Sequence, residues 1–195
     1  MQERFKQQGY LVHNISYPSR QYRVEKLANM VKQKVLDCCS DPERKVHFVT
    51  HSLGGILVRA MFAERTPPNM GRVVMLSPPN QGSEISDHLK DFFLYRMITG
   101  PAGQQLGTQA DSIPVSLQHK PGYEIGVITG NRSFNPIYSS LIPGADDGKV
   151  GVDRARFDGM QDFLVVPHTH TFIMNSNDVI SQTMLFIHTG HFQHQ

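Results

Sequence analysis

The sequence predicts an α/β fold: a mostly parallel central sheet with helices on both faces. Three observations predict it. Short apolar runs at 11–15, 46–50, 72–76, 125–129 and 163–166 read as strands. Stretches of helical periodicity lie between them. The run Val46-His47-Phe48-Val49-Thr50-His51 ends abruptly in Ser52, glycines follow at 54 and 55, and a helical pattern begins. The length, 195 residues, suits one domain, residues 1–195, with a cap insertion expected at about 83–122.

Residues 2–8 read as the end of a helix stopped by Gly9. Leu11-Val12-His13-Asn14-Ile15 reads as a short strand that runs into a loop at Tyr17-Pro18-Ser19-Arg20. Over about 23–39 the apolar residues Val24, Leu27, Ala28, Val31, Val35 and Leu36 recur at helical spacing, and Asp41-Pro42 ends that helix. A helix over about 53–65 follows Ser52 and is closed by Pro67-Pro68. The strand at 72–76 leads into Ser77-Pro78-Pro79-Asn80-Gln81-Gly82-Ser83. Residues 84–98 read as helical and 99–120 as a stretch rich in Gly, Pro and Gln. After the strand at 125–129 a loop runs to Gly151; after the strand at 163–166 come His168-Thr169-His170 and a last helix over about 177–187. In parallel sheets the site lies beyond the C-terminal ends of the strands. Ser52, the 78–82 loop, Asp147 and His170 all follow strands and converge on one edge.

A net charge of +2, from 19 basic and 17 acidic residues, gives no electrostatic case for nucleic acid as a partner. No apolar stretch is long enough to span a bilayer. Met1-Gln2-Glu3-Arg4-Phe5-Lys6 does not read as a secretory signal. The two cysteines, Cys38 and Cys39, are neighbours, which rarely bond each other; the expectation is no disulfide framework and a reducing, by default cytoplasmic, compartment.

A serine on a strand-to-helix turn projects its hydroxyl out of the sheet, and the next N–H, that of Leu53, lies at a helix N-terminus facing developing negative charge. Gly54 stands where a side chain would meet the preceding strand. Serine is a poor nucleophile without a base and a carboxylate to orient it. Asp147-Gly148 is a tight turn after the fourth strand that aims a carboxylate inwards, with Asp146 as the substitute. His170 follows the last strand and is the base, with His168 two residues away as its competitor. His13 and His47 within strands, and His88 and His119 in the middle insertion, read as structural or solvated. His188, His191 and His194 lack a Cys or acidic ligand and read as a frayed tail, so no metal is expected.

These segments together resemble the α/β-hydrolase superfamily, in particular small lipase- and esterase-like proteins. The matching pieces are Thr50-His51-Ser52-Leu53-Gly54-Gly55, Leu76-Ser77-Pro78-Pro79-Asn80-Gln81-Gly82-Ser83, Asp147-Gly148-Lys149-Val150 and Val166-Pro167-His168-Thr169-His170-Thr171, with Gly9-Tyr10-Leu11-Val12 and Tyr17-Pro18 before them. The resemblance implies Ser52 as nucleophile, Asp147 as acid, His170 as base and the Leu53 N–H as an oxyanion donor. It places Tyr17, His51, Pro78 and Pro79 at the substrate pocket and implies hydrolysis of a small ester or lipid-like substrate without a cofactor. A catalytically impaired binding protein and an acyltransferase on the same triad are the alternatives.

Two departures stand out. Thr50 replaces the usual glycine two residues before the serine. The family's strand ending in His-Gly, whose loop donates a second oxyanion N–H, has no counterpart here. The expectation is an N-terminally incomplete chain, with that strand missing between the 11–15 and 46–50 segments. In the 83–122 region Phe92, Phe93, Leu94, Tyr95, Met97 and Ile98 are expected mostly to pack on the sheet, with a few lining an acyl pocket.

Overall fold

Four parallel strands lie side by side in the order of the chain: β1 (Val46–His51), β2 (Met70–Leu76), β3 (Ile125–Gly130) and β4 (Asp162–Val166). The computed structural model describes residues 1–117 and 120–194, without the side chains of Leu94, Tyr95 and Ile98. His119 and those three side chains, all named in the sequence reading, therefore lie outside the described residues. The helices are α1 (Gln2–Gln7), α2 (Val24–Cys38), α3 (Leu53–Met61), α4 (Glu84–Leu89), α5 (Phe93–Gly103), α6 (Ile113–Ser116), α7 (Pro136–Ser139), α8 (Val152–Ala155) and α9 (Asn177–Thr189).

The two faces follow from the period of two along a strand. Val73 and Met75 of β2 pack with Leu27 of α2 and Ile56 of α3, while Val74 and Leu76 pack with Phe5 of α1 and Phe186 of α9. Strands that step in one direction with right-handed crossovers put every crossover on the same face. Leu57 of α3, Ala102 of α5 and Ala155 of α8 accordingly share one cluster, and the chain ends, α1 and α9, close the other face. With both faces covered, the strands have no need of polar alternation, which is why they read as plain apolar runs.

Residues 11–15 form no strand. Val12 and Ile15 pack partly against the core, and the Tyr10 ring meets Phe5 and His47 edge-on at 5.4 and 6.4 Å. A strand also needs backbone partners, and β1 is the edge of the sheet, with no described strand beside it. The helix after Ser52 stops at Met61, four residues early. The single helix expected at 84–98 is two, α4 and α5; α5 extends to Gly103 across a kink at Gly100 (φ 65°), where a β-carbon would overlap the Arg20 backbone. Phe92, Phe93 and Met97 do not pack on the sheet: all three are exposed.

The C-terminal tail is docked rather than frayed. Asp162 accepts the Phe192 N–H at 2.7 Å and pairs with His194 Nε2 at 2.9 Å, and buried Phe192 packs on Phe186. Cys38 and Cys39 are joined by a disulfide, contrary to the expectation; the backbone leaves helical geometry at Cys39 (φ −137°, ψ 35°), which lets adjacent side chains meet. Such a bond encloses no loop and constrains little of the fold.

Candidate active site

Ser52 sits between β1 and α3 at φ 51°, ψ −122°. Positive φ in a residue other than glycine is strain of about 1–3 kcal/mol, which the surroundings must hold. Here the Ser52 N–H donates to the Leu76 carbonyl (2.9 Å) and its carbonyl accepts from the Gly55 N–H (3.0 Å). The last ladder bond is made before the chain swings into the helix. A β-carbon on Gly54 would stand 3.3 Å from Thr50 Cβ, and one on Gly55 3.1 Å from Pro78 Cβ, so α3 packs back onto the strand only where side chains are missing. Thr50 is accommodated because its neighbour across that contact is Gly54. The Leu53 N–H, the first of α3, has no carbonyl partner within its helix.

Asp147 and His170 meet. His170 Nδ1 lies 2.9 Å from Asp147 Oδ2, and the His170 N–H donates to the Asp147 carbonyl at 2.9 Å. Asp147 is 1% exposed and His170 4%. The other carboxylate oxygen accepts the Lys149 and Val150 N–H groups at 3.0 and 2.9 Å. Burial alone would raise the Asp147 pKa; the His170 hydrogen bond and charge, with the Val150 N–H, outweigh it and hold the carboxyl below its ordinary value. Buried Ser77 adds to this from beside the carboxylate without reaching full hydrogen-bond geometry. An ionised Asp147 fixes the proton on Nδ1 and leaves Nε2 of His170 as the free acceptor.

The rival residues are engaged elsewhere. Asp146 Oδ1 accepts from the Gly148 N–H (2.7 Å) and the Ser139 hydroxyl (2.9 Å), closing the turn that aims Asp147. His168 pairs through Nε2 with Asp178 at 2.8 Å.

His51, expected at the substrate pocket, packs against His170. Its Nε2–H donates to the His170 carbonyl at 2.8 Å, and the two rings lie 4.8 Å apart. Burial first, then the charge of His170, pushes its pKa down to about 4, so it is neutral. It therefore links Ser52, its chain neighbour, to the base. The Ser52 hydroxyl itself makes no hydrogen bond among the described residues, and such bonds often tighten only around substrate. Pro78 and Pro79 are buried and Tyr17 is half-buried; Pro78 Cβ stands 3.1 Å from a β-carbon on Gly55 and the Tyr17 hydroxyl 3.7 Å from one on Gly54, so these two flank the elbow. Two surface cavities of about 350 and 270 Å³, beside Tyr123 and Gln104, include none of these residues.

Three residues outside the sequence-predicted set brace the site. Ser77 ends β2 as Ser52 ends β1, also at positive φ (48°), with its N–H on the Ile128 carbonyl at 2.8 Å; its signal was another serine following an apolar strand. Gly130 ends β3 where a β-carbon would overlap the His168 carbonyl and stand 3.0 Å from Asp147 Cβ. Arg59 is 2% exposed and bonds to Asn80 Oδ1 and the carbonyls of Asn80, Pro114 and Leu117, all distant in sequence. The described residues hold no cluster of metal-binding side chains at this edge; the group that does occur, His13 with Cys38 and Cys39, lies elsewhere.

No protein-family model matches the chain, and no curated protein matches it in sequence. Solved structures match its fold. The mature lipase BlEst2 of Bacillus licheniformis is 18% identical with a TM-score of 0.70, over 88% of this chain and 76% of that one. The metagenomic carboxyl esterase MGS0156 is 17% identical with a TM-score of 0.65, over 80% and 54%. The phospholipase PlaB of Legionella pneumophila is 21% identical with a TM-score of 0.62, over 79% and 40%. The chain thus spans 76% of the first and 54% and 40% of the other two. These likenesses, beside its parallel sheet and the serine on the turn after β1, show that the chain shares its fold with these three proteins.

Proposed function

We propose that the chain hydrolyses carboxylic esters through an acyl-enzyme on Ser52. The observation that carries this reading is the buried Asp147–His170 pair, 2.9 Å apart, tied through the His170 carbonyl to His51, the chain neighbour of a serine held at positive φ on a strand-to-helix turn. In the proposed cycle Ser52 Oγ attacks the ester carbonyl carbon while His170 Nε2 takes its proton. The Leu53 N–H donates to the oxyanion that forms. The tetrahedral species collapses, the alcohol leaves with the proton from His170, and Ser52 keeps the acyl group. Water then attacks the acyl-enzyme, assisted again by His170, to release the acid and restore Ser52. Asp147 stays ionised throughout and keeps the imidazole in the working tautomer.

The solved likenesses are named as a lipase, a carboxyl esterase and a phospholipase, which supports a small ester or lipid-like substrate. Residues 83–122 act as a cap in this reading: Gln105 Oε1 accepts the Val24 N–H at 2.7 Å, and Arg59 holds Pro114 and Leu117, so the segment bridges the N-terminal end of α2 and the last turn of α3. No cofactor enters the cycle. A second reading, a catalytically impaired ester-binding protein, is favoured by the unbonded Ser52 hydroxyl and by Leu53 being the sole oxyanion donor we assign. One missing donor lowers the rate by about a hundred- to a thousandfold.

The test is hydrolysis of a short-chain p-nitrophenyl ester beside Ser52→Ala. Turnover that disappears in the variant supports the hydrolase. Equal, background-level turnover in both proteins overturns it. An alcohol acceptor in the same assay separates transfer from hydrolysis by the products formed.

A further inference from the structure

A cluster at the start of β1 is not used by the ester chemistry. Cys38 ends α2 and Cys39 caps it. His13, exposed in the unpaired segment before Tyr17, reaches both: one ring nitrogen and the two sulfurs lie within 4.8 Å of one another. Among the described residues this is the one group of three or more His, Cys, Asp or Glu side chains so arranged. The Asn69 amide donates to the Cys39 carbonyl at 3.2 Å and the Asn69 carbonyl accepts the Val46 N–H at 2.9 Å, whereas Ser52 follows the opposite end of β1.

We infer that the reduced chain binds one copper(I) ion through Cys38 Sγ, Cys39 Sγ and a ring nitrogen of His13. Thiolate donors select soft ions over hard ones, and the absence of a carboxylate from the set removes the oxygen ligands that calcium and magnesium require. Structural zinc takes four protein ligands; this set supplies three, the number that completes a trigonal copper(I) centre. Metal–ligand bonds of about 2.0–2.3 Å place the donors around one ion roughly 3.5–4 Å apart. The His13 ring nitrogen lies within 4.8 Å of both sulfurs, which are bonded to each other in the oxidised chain and part to that spacing once reduced. Binding displaces the two thiol protons and transfers no electrons. The Cys38–Cys39 disulfide is the oxidised, metal-free alternative, because bonded sulfurs carry no thiolate charge. The bound ion ties His13, and with it the segment that the sheet leaves unpaired, to the end of α2.

The full-length chain, reduced and kept under nitrogen, is titrated with copper(I) in competition with bathocuproine disulfonate. The expected result is one ion per chain withdrawn from the chelator. Cys38→Ser and Cys39→Ser each abolish withdrawal. His13→Ala weakens it by more than about tenfold, the lower bound seen even for outer-shell partners of a metal. Oxidised chain, shown to have no free thiol, withdraws none. Far-ultraviolet circular dichroism confirms that each variant is folded. Copper that stays with the chelator overturns the assignment, as does a His13→Ala chain that binds as tightly as its parent, or a site that takes zinc(II) and refuses copper(I). Ester turnover by His13→Ala is expected to equal that of the parent, so this proposal and the hydrolase reading fail separately.

Discussion

His51 makes stability depend on acidity in a way that one substitution isolates. Its ring donates to the His170 carbonyl at 2.8 Å and is neutral in the folded chain, with a pKa pushed by burial and by the charge of His170 from 6.5 to about 4. The unfolded chain protonates near the ordinary value, so between pH 6.5 and 4 it holds the extra proton. Stability is therefore complete above about pH 6.5 and falls as the pH drops through that window. The interval from 6.5 to about 4, at about 1.4 kcal/mol per pH unit, amounts to about 3 kcal/mol by pH 4 and about 2 kcal/mol at pH 5. That is a large part of the 5–15 kcal/mol that holds a typical domain of about this size folded. His51→Gln keeps an N–H donor and cannot titrate, and carboxylates such as Asp147 respond alike in both proteins and cancel. Urea unfolding followed by circular dichroism at pH 7, 6, 5 and 4 is expected to show the parent losing about 3 kcal/mol more than the variant. Parallel profiles, within about 0.5 kcal/mol of each other, would refute the argument, because His51 would then titrate alike folded and unfolded.

Asp147→Asn keeps the shape of the site but releases the His170 tautomer; ester turnover is expected to fall by about four orders of magnitude, and a loss of less than tenfold contradicts the assigned role. Gly130→Ala drives a methyl group into the His168 carbonyl; the expected result is a loss of about 1–3 kcal/mol in urea unfolding together with reduced turnover, because the His170 loop is displaced. An unchanged midpoint argues against that close approach. Arg59→Leu leaves the carbonyls of Asn80, Pro114 and Leu117 without their donor, at about 1–3 kcal/mol for each group that finds no other partner. Thermal unfolding should drop by several degrees or more, and an unaltered melting temperature means that these groups find partners without Arg59.

The parts of the fold that are local in sequence were legible. The switch from strand to helix at Ser52 is written in consecutive residues, and β1 to β4 declare themselves because both faces of the sheet are covered. Residues 11–15 misled because an apolar pentad has strand character, while a strand exists only beside a partner, and this segment has none among the described residues. The tail misled because what holds Phe192 and His194 is Asp162, about thirty residues away. Asp146 and Asp147 are equivalent in sequence; the turn they build directs one to Ser139 and Gly148 and the other to His170. The same holds for His168, claimed by Asp178 on α9, and for His170. Arg59 left no mark in the sequence because, Asn80 Oδ1 apart, its partners are backbone carbonyls from two other segments, and any residue type supplies a carbonyl.

The proposed ester chemistry rests on Ser52 as the nucleophile, and a fluorophosphonate probe tests that directly. The purified chain is treated with the probe, digested and mapped by mass spectrometry, with Ser52→Ala and His170→Ala alongside. One phosphonylated peptide is expected, carrying the adduct on Ser52, absent in Ser52→Ala and strongly reduced in His170→Ala. An unlabelled parent chain, or an adduct on another residue that persists in Ser52→Ala, contradicts that chemistry.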